Sequence, residues 1–214
     1  MKGQMSFFEN EYIKPTKPMR VLVACEESQR VCIAFREKGH EAYSCDIQDC
    51  SGGHPEWPII GDALELLKLK WDLVIAHPPC TYLSNAGATR MFPNKVLNIE
   101  RYKKALAAKE FFMRFLEADC EKICVENPMP LSIMELPKPS CIIQPYEFGE
   151  PYCKRTYLWL KGLPPLMPTL IEGKYIPYIG ARSINGHTYG VAHSKKDRSK
   201  TFMGIAKAMA EQWG

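Results

Sequence analysis

The chain has no long apolar run. Its uninterrupted hydrophobic stretches are only a few residues long, so no segment reads as a bilayer-crossing helix, which needs about 20 apolar residues. Residues 1–18 carry acids and prolines where a secretory leader would have an apolar core, so no signal peptide is expected. A strong charge imbalance is also missing. The formal net charge of +4 permits nucleic-acid binding but falls short of a basic balance that would argue for it unaided. No internal repeat or low-complexity tract occurs, which removes repeat arrays and biased linkers from consideration. Nine cysteines, an odd number, without a leader predict a reducing cytoplasm and free thiols in place of a disulfide framework. What is present is 214 residues, 46% hydrophobic and 24% charged, the profile of one ordinary globular domain with one good core.

The order of apolar runs predicts an α/β fold. After an N-terminal arm over residues 1–19, a strand is expected over 20–24, a turn over 25–28 and a helix over 29–38. Val31, Ile33, Ala34 and Phe35 are that helix's packing positions, and Gly39 is its stop. A second strand follows over 41–45, ending at Asp46. Gly61, Asp62 and Ala63 precede a short helical stretch. An amphipathic helix over 98–118 presents Tyr102, Ala105, Leu106, Phe112, Met113, Phe115 and Leu116 at helical spacing. It acts as a crossover that brings the next strand back parallel. Residues 128–139 are proline-rich and read as irregular. Strands are predicted over 141–148 and 156–161, and a closing helix over 200–213.

Two strand tips carry the chemistry. The apolar run 71–76 ends at His77, Pro78, Pro79 and Cys80. Each proline fixes φ and lacks an N–H, so the strand stops and a cysteine is presented at its carboxyl end, where open α/β sheets place ligands and reactive groups. Lys122, Ile123, Cys124, Val125, Glu126, Asn127 and Pro128 form a second short strand, which ends in a carboxylate and an amide. An acidic residue, Asp46, stands about twenty positions beyond the first turn, the spacing at which α/β folds hold ribose hydroxyls.

With the continuation Thr81, Tyr82, Leu83, Ser84, Asn85, Ala86 and Gly87, these tips resemble the motifs of DNA (cytosine-5) methyltransferases, and among them the small phage-type enzymes. The likeness runs over residues 20–162. It weakly includes Gly204, Ile205 and Ala206, which resemble the family's final cofactor-side motif. The resemblance implies a Rossmann-like class I S-adenosylmethionine-dependent fold, a mostly parallel sheet flanked by helices, acting on a flipped cytosine in DNA. It casts Cys80 as the nucleophile adding to carbon 6. Glu126 is the acid at ring nitrogen 3, with its pKa expected to be raised by burial, and Asn127 braces the loop or base edge. Of the family's Gln-x-Arg-x-Arg strand, Pro151, Cys153 and Arg155 hold the places, so Arg155 alone remains for the substrate.

For S-adenosylmethionine, the resemblance implies contacts from the first turn and from Asp46 (ribose hydroxyls), Ile47, Asp62 (adenine amino group), Ala63 and His77. The family's Phe-x-Gly-x-Gly turn is here Cys25, Glu26, Glu27, Ser28 and Gln29, without glycine. Glu26 or Glu27 would face the sulfonium or amino group, and Ser28 would cap the helix.

A separate target-recognition region has no room between residues 163 and 199. The expected DNA contacts are therefore the loop after Cys80 and a basic segment of Arg182, His193, Lys195, Lys196, Arg198 and Lys200. Tyr175, Tyr178 and Tyr189 among Lys174, Arg182 and His187 suit stacking and phosphate contact, or equally the covering of a core edge. A protein partner that supplies target recognition is a further expectation, and no membrane partner is expected.

Other readings stay open: a catalytically silent DNA-binding or regulatory module on the same fold, or an amino-methyltransferase, whose motif places an aromatic residue where Cys80 stands. Cys45, Cys50 and His54 are three potential metal ligands without a fourth, so no metal is expected. His77 and Cys80 make a poor hydrolase pair because two prolines separate them.

Overall fold

A computed structural model describes residues 17–150, 154–169, 183–184, 187–188 and 199–214, with only the backbone of 183–184 and 187–188. Expectations placed on residues 1–16, Pro151, Cys153, Lys174, Tyr175, Tyr178, Arg182, Tyr189, His193, Lys195, Lys196 and Arg198 lie outside these, as does the side chain of His187.

The strands are β1 (Arg20–Ala24), β2 (Glu41–Asp46), β3 (Ile59–Ile60), β4 (Leu73–Ala76), β5 (Ile123–Pro128), β6 (Cys141–Ile143) and β7 (Thr156–Lys161), with a separate small pair, β8 (Ser183–Ile184) and β9 (His187–Thr188). The helices are α1 (Arg30–Glu37), α2 (Ala63–Leu66), α3 (Ala88–Met91), α4 (Ile99–Leu116) and α5 (Met203–Trp213). β1 to β7 form one sheet in the order β3-β2-β1-β4-β5-β7-β6. It is parallel from β3 to β5, while β7 runs antiparallel to both β5 and β6.

Both faces of the sheet are covered, which explains why β1 and β4 read as continuous apolar runs and not as alternations. Val21, Val23, Leu73 and Ile75 point to one side, into a core shared with Val31, Ala34 and Phe35 of α1 and Ile205, Met209 and Trp213 of α5. Leu22, Ala24, Val74 and Ala76 point to the other, against Ala105, Phe112 and Phe115 of α4. Phe112 meets Trp159 of β7 edge-on with centroids 5.0 Å apart.

The chain therefore winds outward in two directions from the middle of the sheet. β1 leads through α1 to β2 on one side, while β4 leads through α4 to β5 on the other. At such a reversal the two crossovers diverge and leave a crevice beyond the strands' carboxyl ends. Here the reversal falls between β1 and β4, whose last residues Ala24 and Ala76 are register partners, and the His77 N–H donates to the Ala24 carbonyl (2.9 Å).

Several sequence expectations need correction. The strand expected over 141–148 ends at Ile143, because Pro145 lacks an N–H and starts a 3-10 turn, Pro145–Phe148. Gln144 and Glu147 cap that turn reciprocally. In α4, Leu106 is 45% exposed and is no packing residue. In α1, Cys32 is fully buried in place of the half-buried Ile33. The last helix begins at Met203, not at residue 200.

Gly204 has a packing reason. A Cβ there would run into the Phe148 carbonyl, so only glycine lets α5 approach the Pro145–Phe148 turn this closely. Among the described residues no helix is long and apolar enough to cross a membrane.

Candidate active site

Cys80 and Glu126 share one end of the sheet because β4 and β5 are hydrogen-bonded neighbours running the same way. The two tips are tied together. Asn127, 1% exposed, donates from Nδ2 to the Pro78 carbonyl at 2.8 Å. The chain beyond β5 stitches itself to the loop after Cys80: Asn85 N–H donates to Met129 O (2.8 Å), and Leu131 N–H donates to Leu83 O (2.7 Å). Within the loop, the Cys80 carbonyl accepts from the N–H groups of Leu83 (3.1 Å) and Ser84 (2.9 Å). Arg101 of α4 donates to the Thr81 carbonyl at 2.6 Å and stacks over the Tyr82 ring at 4.9 Å. The cysteine thus stands on a braced platform, exposed to solvent.

Burial of its surroundings and the Glu126 carboxylate push the Cys80 thiol above its ordinary range, with Lys154 pulling the other way. Glu126 corrects an expectation. Burial raises its pKa, but a hydrogen bond from His77 and the charges of Lys154 and His77 outweigh that and hold the carboxyl below its usual range. The His77 Nδ1 lies 3.1 Å from Glu126 Oε2. The free protein therefore presents an ionised Glu126, not the neutral acid foreseen from burial.

The cation acting on both Cys80 and Glu126 is Lys154. Arg155 is the next residue, exposed on the lead-in to β7. Sequence reasoning missed Lys154 because the family pattern alternates and skips it. The available signal was the antiparallel lead-in to β7, which passes beyond Pro128, the register partner of Thr156.

On the other wall of the crevice, Cys25 and Gln29 both take left-handed φ values, 59° and 57°. Gln29 thus adopts backbone that glycine usually supplies. Its fully buried side chain also holds a loop in place: Nε2 donates to His54 O (2.8 Å), and Oε1 accepts from His54 N–H (3.2 Å). Ser51 N–H donates to the Glu27 carbonyl beside it (2.8 Å).

Glu26 and Ser28 depart from expectation. The Glu26 carboxylate turns inward and caps α1, with Oε1 accepting from Val31 N–H (2.7 Å) and Oε2 from Cys32 N–H (3.2 Å). Ser28 is not the cap, and its hydroxyl hydrogen-bonds Glu26 instead. A carboxylate suits a helix N-terminus, where unpaired N–H groups concentrate positive potential. It is thereby withdrawn from any cationic ligand. Burial nonetheless raises Glu26's pKa, against the lowering effects of His77 and these hydrogen bonds.

Asp46 ends β2 with Oδ1 accepting from Gln48 N–H (3.0 Å). Asp62 caps α2 through Oδ1, accepting from Leu64 N–H (2.9 Å). Burial first, and then the charges of Asp46, Cys45 and Asp62, push the Cys25 thiol up to about 12. The charges of both aspartates thus reach the Cys25 thiol beyond β1. Ile47 beside them is 79% exposed, an apolar surface offered to solvent at the crevice rim, while Ala63 is buried. An exposed apolar side chain flanked by two carboxylates fits the adenosine end of S-adenosylmethionine, and among the described residues no cluster of three or more potential ligands gathers to hold a metal.

No family model matches the chain. No curated protein matches it either. Among solved structures, that of monomeric WbdD is similar with a TM-score of 0.35 and 16% identity, covering 69% of this chain. The chain spans 37% of the length of WbdD.

Proposed function

We propose that this chain transfers a methyl group from S-adenosylmethionine to carbon 5 of cytosine in DNA, through a covalent adduct at Cys80. The carrying observation is the pair of tethered tips: a solvent-open cysteine and a half-buried glutamate, fixed to each other by the Asn127 bond to Pro78. Their electrostatic coupling supports a common substrate. The doubly wound sheet, with its crevice at the β1/β4 reversal, supports a Rossmann-like class I methyltransferase fold.

Carbon 5 of cytosine is a weak nucleophile. Addition of the Cys80 thiolate at carbon 6 turns the ring into an enamine whose carbon 5 can attack. Lys154 favours the thiolate, and Glu126 neutralises charge at ring nitrogen 3 only once it carries a proton. Asn127 keeps the sulfur at its height over the base. S-adenosylmethionine supplies the electrophilic methyl group. Asp46, Asp62 and Ile47 would hold its adenosine end, with Asp46 toward the ribose and Ile47 against the adenine face. Glu26 has no part in binding its cationic end, since both its oxygens serve α1.

Incubation with labelled S-adenosylmethionine and DNA containing 5-fluorocytosine tests the reading. It predicts a denaturation-resistant protein–DNA adduct that disappears in Cys80→Ser. Labelled DNA without an adduct would indicate amino-methylation, and neither product would indicate a binding module.

A further inference from the structure

His77 ends β4 with its side chain 9% exposed, Nδ1 3.1 Å from Glu126 Oε2, and Nε2 buried without a hydrogen-bond partner among the described residues. The titratable groups coupled to it are Glu126 from β5 and Glu26 from the β1–α1 turn, while Lys154, on the lead-in to β7, acts on Glu126 and on Cys80. The imidazole therefore interacts with two carboxylates, by contact with Glu126 and through charge with Glu26. Among the described residues, the contact with Glu126 is the ring's hydrogen bond.

Glu126 by itself has a difficulty as an acid, because it is held ionised at neutral pH and has no proton to give. Histidine exchanges a proton between about pH 5 and 8.

Resting on the cytosine-methylation reading, we propose that His77 is a positioning residue that stores the proton which Glu126 delivers to ring nitrogen 3. The Cys80 S–H bond breaks with its proton going to water, and as the resulting thiolate lone pair forms the S–C6 bond, the Nδ1–H bond of the imidazolium breaks and the proton passes to Glu126 Oε2, leaving neutral imidazole. The carboxyl group turns about its soft terminal torsion. Its O–H bond breaks as the N3–H bond forms, and the carboxylate returns. After methylation the carbon-5 proton leaves to water, the C6–S bond breaks with its electron pair returning to sulfur, and nitrogen 3 gives its proton back by the same path.

The test is the rate of 5-fluorocytosine DNA trapping against pH for the wild type and His77→Gln, together with an NMR titration of the ¹⁵N-labelled His77 ring in the wild type and Glu126→Gln. Glutamine can still hydrogen-bond Glu126 but stores no proton. The wild-type rate falls on the alkaline side. His77→Gln lacks that limb, traps about 10²-fold more slowly near pH 6.5, and regains rate in acid as Glu126 itself protonates. The His77 titration moves in Glu126→Gln. A wild-type alkaline limb in His77→Gln overturns the proposal. So does a His77 titration indifferent to Glu126→Gln, a measurement that needs no folded His77 variant. A wild type that traps no DNA at any pH overturns the methylation reading and the delivery to nitrogen 3, while the ring titration decides the His77–Glu126 proton link separately.

Discussion

Asn127→Ala removes the bond that ties the glutamate tip to the cysteine tip. In the native protein the Asn127 amide is 1% exposed and donates to the carbonyl of Pro78, itself buried. Alanine leaves that carbonyl without its partner in a site water cannot readily enter, and an orphaned buried acceptor costs about 1–3 kcal/mol. For a domain of this size a loss of about 2 kcal/mol lowers Tm by about 4–8 °C. The functional effect is larger than the stability effect, because the Pro78 carbonyl lies two residues from the sulfur. A shift of about 1 Å in a reacting atom costs about 10²-fold in rate. Asn127→Asp is the sharper companion. It keeps the volume but turns an acceptor toward the Pro78 carbonyl and adds a buried negative charge beside Glu126, so it destabilises more than alanine does. Urea unfolding gives the stability change, and single-turnover trapping on 5-fluorocytosine DNA gives the rate. Wild-type trapping by a folded Asn127→Ala protein would refute the claim that this bond positions Cys80. Equal stability of the alanine and aspartate variants would refute the claim that the amide is a required donor.

Glu126 and Glu26 predict opposite pH dependences. A carboxyl lowered in the folded state stabilises above its unfolded value and loses that contribution as pH falls through the folded value. Glu126→Gln therefore flattens the acid side of the stability profile below the usual carboxylate value of 4.5, which chemical denaturation at stepped pH reads directly. Glu26, raised by burial, contributes most in acid and loses that contribution as pH rises above 4.5 through its folded value. Glu26→Ala also uncaps α1, so unfolding should come about 0.5–2 kcal/mol easier. Ile47→Ser leaves stability within about 0.5 kcal/mol because the side chain is exposed. Calorimetric titration should show weaker S-adenosylmethionine binding, and unchanged affinity would remove Ile47 from the adenine site. Gly204→Ala forces α5 away from Phe148 and costs about 1–3 kcal/mol by overpacking, measured as a lowered Tm.

Much of the fold was legible in the chain because its signals are local. Arg20–Ala24 and Leu73–Ala76 are apolar at every inner position, so they had to be buried on two faces, and Pro78 and Pro79 had to end the second of them. Asn98, expected as the first residue of the long helix, is its cap, and its side chain accepts from Arg101 N–H at 3.0 Å. Cys80, Glu126 and Asn127 were identifiable as strand tips for the same reason. The strand expected over 141–148 runs through Pro145, which breaks the ladder locally. Leu106 shows the limit of periodicity, which gives a helix stripe but not its width.

The amino-acid order thus determined the central strands β1, β2, β4, β5 and β7 and the side chains that stand at the tips of β4 and β5, since burial period and proline geometry act over a few residues. Tertiary structure alone decided the charge state of the site. Which strand neighbours which brought His77 to Glu126 across 49 positions of chain, set Lys154 against both reactive groups, and turned Glu26 inward onto α1. Electrostatic energies depend on distance and burial, and neither is written in the spacing of residues along a chain.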